Sequence, residues 1–264
     1  MFPLKRILFP VDFSARSRGA GVYVEALAGR FDAELTLLHV VEPAAYNSPL
    51  RQPAEVQPAD LDKFFGPDLK YLRVERRIEH GEAAAKIVEV ASQIDADLIV
   101  MPTQGLGTFR RFILGSNTTK VLHDADCPVW TGVHLENPIP LEAVHCQKIA
   151  CAVDLKPASV VVLEWARQMA AEYQAELTLL HVTPSEASQS KARERLEDLA
   201  SQAGVTASFL VDHGQPSKVV ARLTTQADAD LLVIGRRVGP GSAGRLEATA
   251  YAIIRQSPCP VVSV

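Results

Sequence analysis

Of the 264 residues, 47% are hydrophobic and 22% charged, and 27 Lys and Arg against 31 Asp and Glu leave a net charge of −4. That is soluble globular composition, without the basic field that gathers nucleic acid or an anionic membrane surface. No apolar run nears the ~20 residues that span a bilayer, and Met1 to Arg6 leads into a strand-like Ile7-Leu-Phe-Pro-Val rather than a signal peptide, so a cytoplasmic protein is expected. Four cysteines are too few for a disulfide framework. Cys146 and Cys151, with only His145 beside them, lack the second ligand pair of a metal site, so no metal is expected.

In chain order, Arg6 to Val11 reads as a short apolar strand. Ser14 then sits at a helix N-cap position, and Arg18 to Phe31 reads as a helix with Val22, Tyr23, Ala26 and Leu27 on one face. Leu35 to Val41 is apolar on both faces, as strands of a helix-covered parallel sheet are. A proline-rich stretch from Glu42 to Pro67 follows, with a short helix expected near Asp60 to Phe65. Strands at Tyr71 to Ile78, Asp97 to Met101 and Pro128 to Val133 alternate with helices at Glu82 to Ile94 and Ser116 to His123. After a connector near His134 to Val144, with Pro138 and Pro140 to stiffen it, the same order returns. Strands are expected at Lys148 to Val153, Leu177 to Val182, Ser208 to Asp212, Leu231 to Gly235 and Val261 to Val264. Helices are expected at Ser159 to Tyr173, Glu186 to Ala203, Ser217 to Gln226 and Leu246 to Gln256.

The return is a true repeat. Ala33-Glu-Leu-Thr-Leu-Leu-His-Val40 recurs unchanged as Ala175 to Val182, and Val11-Asp12 matches Val153-Asp154. His80-Gly81 matches His213-Gly214, Asp95-Ala-Asp-Leu98 matches Asp228 to Leu231, and Cys127-Pro-Val129 matches Cys259 to Val261. The period is too long for a solenoid unit, so each copy is a domain. The expected architecture is α/β, with two tandem doubly wound five-stranded parallel-sheet domains of Rossmann-like type, at 1–136 and 145–264. Ligands of such sheets bind beyond the C-terminal strand ends where the strand order reverses. Cys127 and Cys259 are expected as small buried packing residues. His39 and His181 read as satisfied strand imidazoles, and His80 and His213 as turn residues. The final strands, Pro128 to Val133 and Val261 to Val264, are apolar edges expected to pair, between the two copies or between chains as a homodimer.

The loop after the fourth strand runs Met101-Pro-Thr-Gln-Gly105-Leu-Gly107-Thr-Phe-Arg110-Arg111-Phe-Ile-Leu-Gly115-Ser116-Asn117. Two readings fit it. Glycines beside the free amides of a helix N-terminus suit a phosphate. Equally, Gly105 and Gly107 form a turn and Ser116 or Asn117 caps the helix. No Gly-x4-Gly-Lys-Ser/Thr loop, nucleophile elbow or two-Mg2+ carboxylate cluster is present. A dedicated enzyme is therefore not expected.

Together, the strand-end Val-Asp, the Leu-Leu-His-Val strand, the glycine loop ending in Gly115-Ser116 and the closing Cys-Pro-Val resemble the universal stress protein family over essentially the whole chain. Two copies resemble its tandem members. The resemblance implies an adenine nucleotide alpha hydrolase-like fold and, in many members, bound ATP. It implies that Asp12 meets the ribose or adenine end, that Pro10 and Val11 line the pocket, and that Val40 lies beside the base. Gly105, Gly115, Ser116 and Asn117 would hold the phosphates, with at most one Mg2+ carried in by them. The first glycine of the family loop is Pro102 here, which removes an amide donor. In the second copy Gly235 stands at that place, but Glu247-Ala248 align with Gly115-Ser116, so a degenerate site is expected there. The implied function is an ATP-binding regulatory protein of the stress response, acting on an unknown protein partner. The alternative is a nucleotide-free scaffold that works through domain pairing and dimerisation.

Overall fold

The computed structural model of the protein describes residues 4–42, 56–65, 69–103, 114–132, 140–236 and 247–264. They fall into two compact units, one reaching Val144 and the other running from His145 to Val264. The first holds β1 (Arg6–Pro10), α1 (Ala15–Phe31), β2 (Glu34–Val41), α2 (Pro58–Phe65), β3 (Arg73–His80), α3 (Ala83–Gln93), β4 (Leu98–Pro102), α4 (Ser116–Asp124) and β5 (Val129–Gly132). Its strands are parallel, in the order β3-β2-β1-β4-β5. The second holds β6 (Lys148–Ala152), α5 (Ser159–Tyr173), β7 (Glu176–Thr183), α6 (Gln189–Gln202), β8 (Ser208–His213), α7 (Pro216–Gln226), β9 (Leu231–Ile234), α8 (Ala248–Gln256) and β10 (Val261–Ser263). Its order, β8-β7-β6-β9-β10, is the same one.

The registers repeat as well. Ile7 lies opposite Leu35, and Ile149 opposite Leu177. Ile7, Leu8 and Phe9 are fully buried, as are Leu35 and Leu38 on β2, which is why these strands carry no polar face. The order reverses between β1 and β4, and between β6 and β9, so each unit has a switch point beyond those strand ends.

The repeated tetrapeptides have structural duties. Asp97 Oδ2 accepts from the Lys5 and Arg6 amides at 2.8 and 2.9 Å, and Asp230 Oδ2 accepts from Gln147 and Lys148 at 2.7 and 3.0 Å. Each carboxylate starts the central strand of its sheet by holding amides that the ladder leaves unpaired. Asp95 and Asp228 take φ of 45° and 50° after α3 and α7, a left-handed conformation that Asp tolerates better than most residues. Gly81 and Gly214 follow the third strands with φ of +146° and +129°, where a side chain is strained. Gly21 lets α2 approach α1, since a Cβ there would stand 2.7 Å from the Phe65 ring, which packs on Phe9.

Three expectations need correction. The helix after β7 starts late: Glu186–Ser188 is a 3-10 turn and α6 begins at Gln189. The Ser185 carbonyl accepts from Thr183 Oγ1 and from the Ser188 amide, and this local bonding competes with the helix. Strand β3 begins at Arg73 rather than Tyr71, because a turn closed by Leu72 N donating to Leu69 O leaves Tyr71 in solvent. Cys259 is buried but Cys127 only half-buried, so the two do not share one packing role. Burial pushes the Cys151 and Cys259 thiols up to about 12. Among the described residues, no helix is long and apolar enough to cross a membrane.

Candidate functional site

In the first unit, β1 delivers Pro10 to the sheet end, and the Val11 amide donates to Leu38 O at 2.8 Å, so Val11 continues the strand geometry one residue further. Asp12 then turns the chain. Its Oδ1 accepts from the Ser14 amide at 3.0 Å and from Ser17 Oγ, while Ser14 Oγ caps α1 by accepting from the Ser17 amide. Phe13 pays for this turn with φ of 58°. His39 Nδ1 donates to Val11 O at 2.7 Å, which fixes the protonated nitrogen and leaves Nε2 on the other side of the ring. The Phe13 ring packs on His39 and edge-on against Phe64, over which the Arg18 guanidinium lies at 4.3 Å. Val40, half-buried, stands at the C-terminal end of neighbouring β2.

Across the switch point, Pro102 ends β4 with its carbonyl accepting from Thr118 Oγ1 at 3.1 Å. The Gly115 amide donates to Thr103 O at 2.8 Å. That amide is engaged within the protein, so the donors left for an anion belong to Ser116 and Asn117 in the first turn of α4. Gly115 has φ of −59°, an ordinary value, so the backbone conformation does not require glycine there. The sequence residues Pro10, Val11, Asp12, Val40, Gly115, Ser116 and Asn117 thus come to one end of one sheet. Gly105 lies outside the described residues.

The second unit repeats the strand-end turn, the histidine bond and the helix-entry bond of this frame, but not the Ser14 cap, since α5 has no side-chain cap. Asp154 Oδ1 accepts from the Lys156 amide at 3.0 Å and Ser159 Oγ at 2.8 Å. His181 Nδ1 donates to Val153 O at 2.8 Å, Leu155 has φ of 58°, and the Glu247 amide donates to Arg236 O at 3.2 Å. Glu247 caps α8 with φ of −62°, the place and conformation of Gly115 in the first unit. This frame encloses a cavity of about 810 Å³, within the range of small-molecule sites. The ends of β6, β7 and β9 form its floor, Val161 and Val162 of α5 one wall, and Glu247, Thr249 and Ala250 of α8 the other. Gly235 keeps the floor open, since a Cβ there would come within 3.1 Å of Val162.

Charge at this mouth differs from the first. Lys156, in the place of Ser14, pairs its Nζ with Asp154 Oδ2 at 2.8 Å. Burial pushes the Asp154 carboxyl up, but hydrogen bonds from the Lys156 side chain, Ser159 and the Lys156 amide outweigh it and hold the group below the usual carboxylate range. Lys156 is raised in turn by its hydrogen bond to Asp154, by that carboxylate's charge and by Glu247. Arg236, 2% exposed, sits at the end of β9. Sequence reasoning placed a degenerate site at this mouth, from the repeated Val-Asp that marks both mouths alike, but missed the Lys156 pair.

The Universal stress protein family profile matches residues 3–131, 145–198 and 185–264. A putative universal stress protein of Staphylococcus saprophyticus is 32% identical over 141 residues, 49% of this chain and 83% of that one. A universal stress protein from Archaeoglobus fulgidus has the same fold, with a TM-score of 0.73 at 19% identity, covering 99% of this chain and 96% of its own. A putative universal stress protein from Pseudomonas aeruginosa gives 0.72 at 19% identity, over 99% and 93%.

Proposed function

This chain belongs to the universal stress protein family, carrying its fold twice, and from that premise we propose that it is an ATP-binding regulatory protein rather than a dedicated enzyme. The nucleotide site is that of the first unit. Asp12 takes the ribose or adenine end, with Pro10, Val11 and Val40 along the base. The phosphates are assigned to Gly105, Gly115, Ser116 and Asn117, with the amide donors coming from Ser116 and Asn117, and any Mg2+ enters with them. The observation that carries this reading is the shared frame: the bonds that enclose an 810 Å³ cavity in the second unit recur around Asp12, His39 and Gly115 in the first. There the α4 N-terminus bears glycine and serine in place of an acid, which leaves its positive end free for phosphate. Occupancy is the mechanism. Bound nucleotide acts on a partner only as far as it binds one state of the protein better than another. A slow hydrolysis of ATP is compatible with this and is not needed by it.

Mass spectrometry of small molecules released from freshly purified protein tests the proposal. ATP or ADP in the supernatant, lost in Asp12→Ala, supports it. A protein that releases none and takes up none when ATP is added favours the second reading, a nucleotide-free scaffold, for which Pro102 at the end of β4 speaks because it has no amide to offer.

A further inference from the structure

The second unit's cavity is built differently enough from its twin to select a different ligand. Three substitutions do this, and each falls on the mouth. Glu247 replaces the glycine at the helix N-cap, so a carboxylate of the protein itself stands at the positive end of α8 and lines the cavity. Val161, where the first unit has Gly19, lines the cavity and is 63% exposed. Lys156, the one cation among the described lining residues, is already paired with Asp154 and lies within the field of Glu247. The remaining walls are mostly aliphatic: Val153, Val162, Leu180, Val182 and Ile234 among them.

A largely aliphatic cavity with two carboxylates against one lysine among its described lining residues repels a polyphosphate tail and accepts hydroxyl or amino groups that donate hydrogen bonds. We infer that the second unit's cavity binds a phosphate-free nucleoside and excludes the corresponding triphosphate, with Glu247 as the residue that discriminates. This deepens the reading of the strand-end mouths as nucleotide-type sites and rests on it. The chain would then sense two forms of one compound class, phosphorylated in its first unit and free in its second.

Photolabelling of the full chain tests this, with 8-azidoadenosine and 8-azido-ATP as probes, unlabelled adenosine and ATP as competitors, and labelled peptides mapped by mass spectrometry. The expected result is saturable labelling of second-unit peptides by the adenosine probe, and labelling of those peptides by the ATP probe at least tenfold weaker at equal concentration. Glu247→Gln removes the charge at constant size and should raise second-unit labelling by the ATP probe tenfold or more. Glu247→Gly, which copies Gly115 at the same backbone angles, should do the same. The inference is overturned if the adenosine probe leaves the second unit unlabelled, if the ATP probe labels it as strongly as the adenosine probe, or if neither variant changes the ratio. Absence of ATP labelling in first-unit peptides sinks the proposed ATP site instead and leaves this inference standing on its own peptides.

Discussion

Replacing Asp12 by alanine separates a structural role from a ligand role at the first mouth. The carboxylate holds the Ser14 amide and the hydroxyl of buried Ser17, so its loss breaks two charge-assisted hydrogen bonds around a tight turn. Hydrogen bonds to a charged group contribute about 1.5–3 kcal/mol each, and Asp12 is only half-buried, so the expected cost is about 2–3 kcal/mol. For a unit of this size that lowers the melting temperature by roughly 5–10 °C. Saturating ATP at a hundred times its dissociation constant adds about 2.7 kcal/mol to a protein that binds it only when folded. Wild type should therefore melt several degrees higher with ATP, whereas Asp12→Ala should melt lower and show no rise. Asp12→Asn keeps an acceptor oxygen for both donors. It should lie within about 1 kcal/mol of wild type without ligand, yet gain less from ATP. Differential scanning fluorimetry with and without ATP reads all three. If Asp12→Ala melts early but keeps the full ATP-induced rise, the carboxylate only shapes the turn, and the assigned site is wrong.

Asp230→Ala strips two backbone amides of their acceptor at the start of β6 and should cost about 2–4 kcal/mol in urea unfolding; a loss below 1 kcal/mol would contradict that role. Lys156→Met removes the side-chain hydrogen bond and the positive charge at Asp154 while keeping the bonds from Ser159 and the residue-156 amide, so the Asp154 carboxyl should titrate at higher pH by carboxyl-detected NMR. The sign follows from linkage: in wild type the depressed carboxyl contributes stability above the unfolded value of about 3.9, lost as pH falls through the lower folded value, and in the variant that contribution shrinks. Gly81→Ala, at φ of +146°, should destabilise by about 1 kcal/mol or more, whereas Gly115→Ala, at φ of −59°, should cost under about 0.5 kcal/mol; equal losses would refute the conformational argument.

The paired sheets were open to sequence reading because apolar runs such as Ile7 to Phe9 and Leu35 to Leu38 are two-sided only where helices cover both faces. The literal repeat then made each half vouch for the other. The place of Asp12 at the mouth was readable because it follows the central strand at a reversal of strand order. The lining of the second cavity, as distinct from its place, was not readable. It depends on Gly235 standing clear of Val162 and on where Val161 comes to lie, which are matters of packing across residues far apart in sequence. Nor does the sequence say that the Gly115 amide is bonded to Thr103, or that Lys156 turns back onto Asp154. Glu247 shows the opposite case: its alignment with Gly115 came from counting residues, and the matching cap angles and amide bonds bear it out.

Equilibrium dialysis of the full chain against radiolabelled ATP tests the central claim most directly. The account predicts one ATP per chain in wild type, none in Asp12→Ala, and one still in Asp154→Ala. Binding that survives Asp12→Ala but vanishes in Asp154→Ala would contradict it, as would a wild-type chain that binds no ATP.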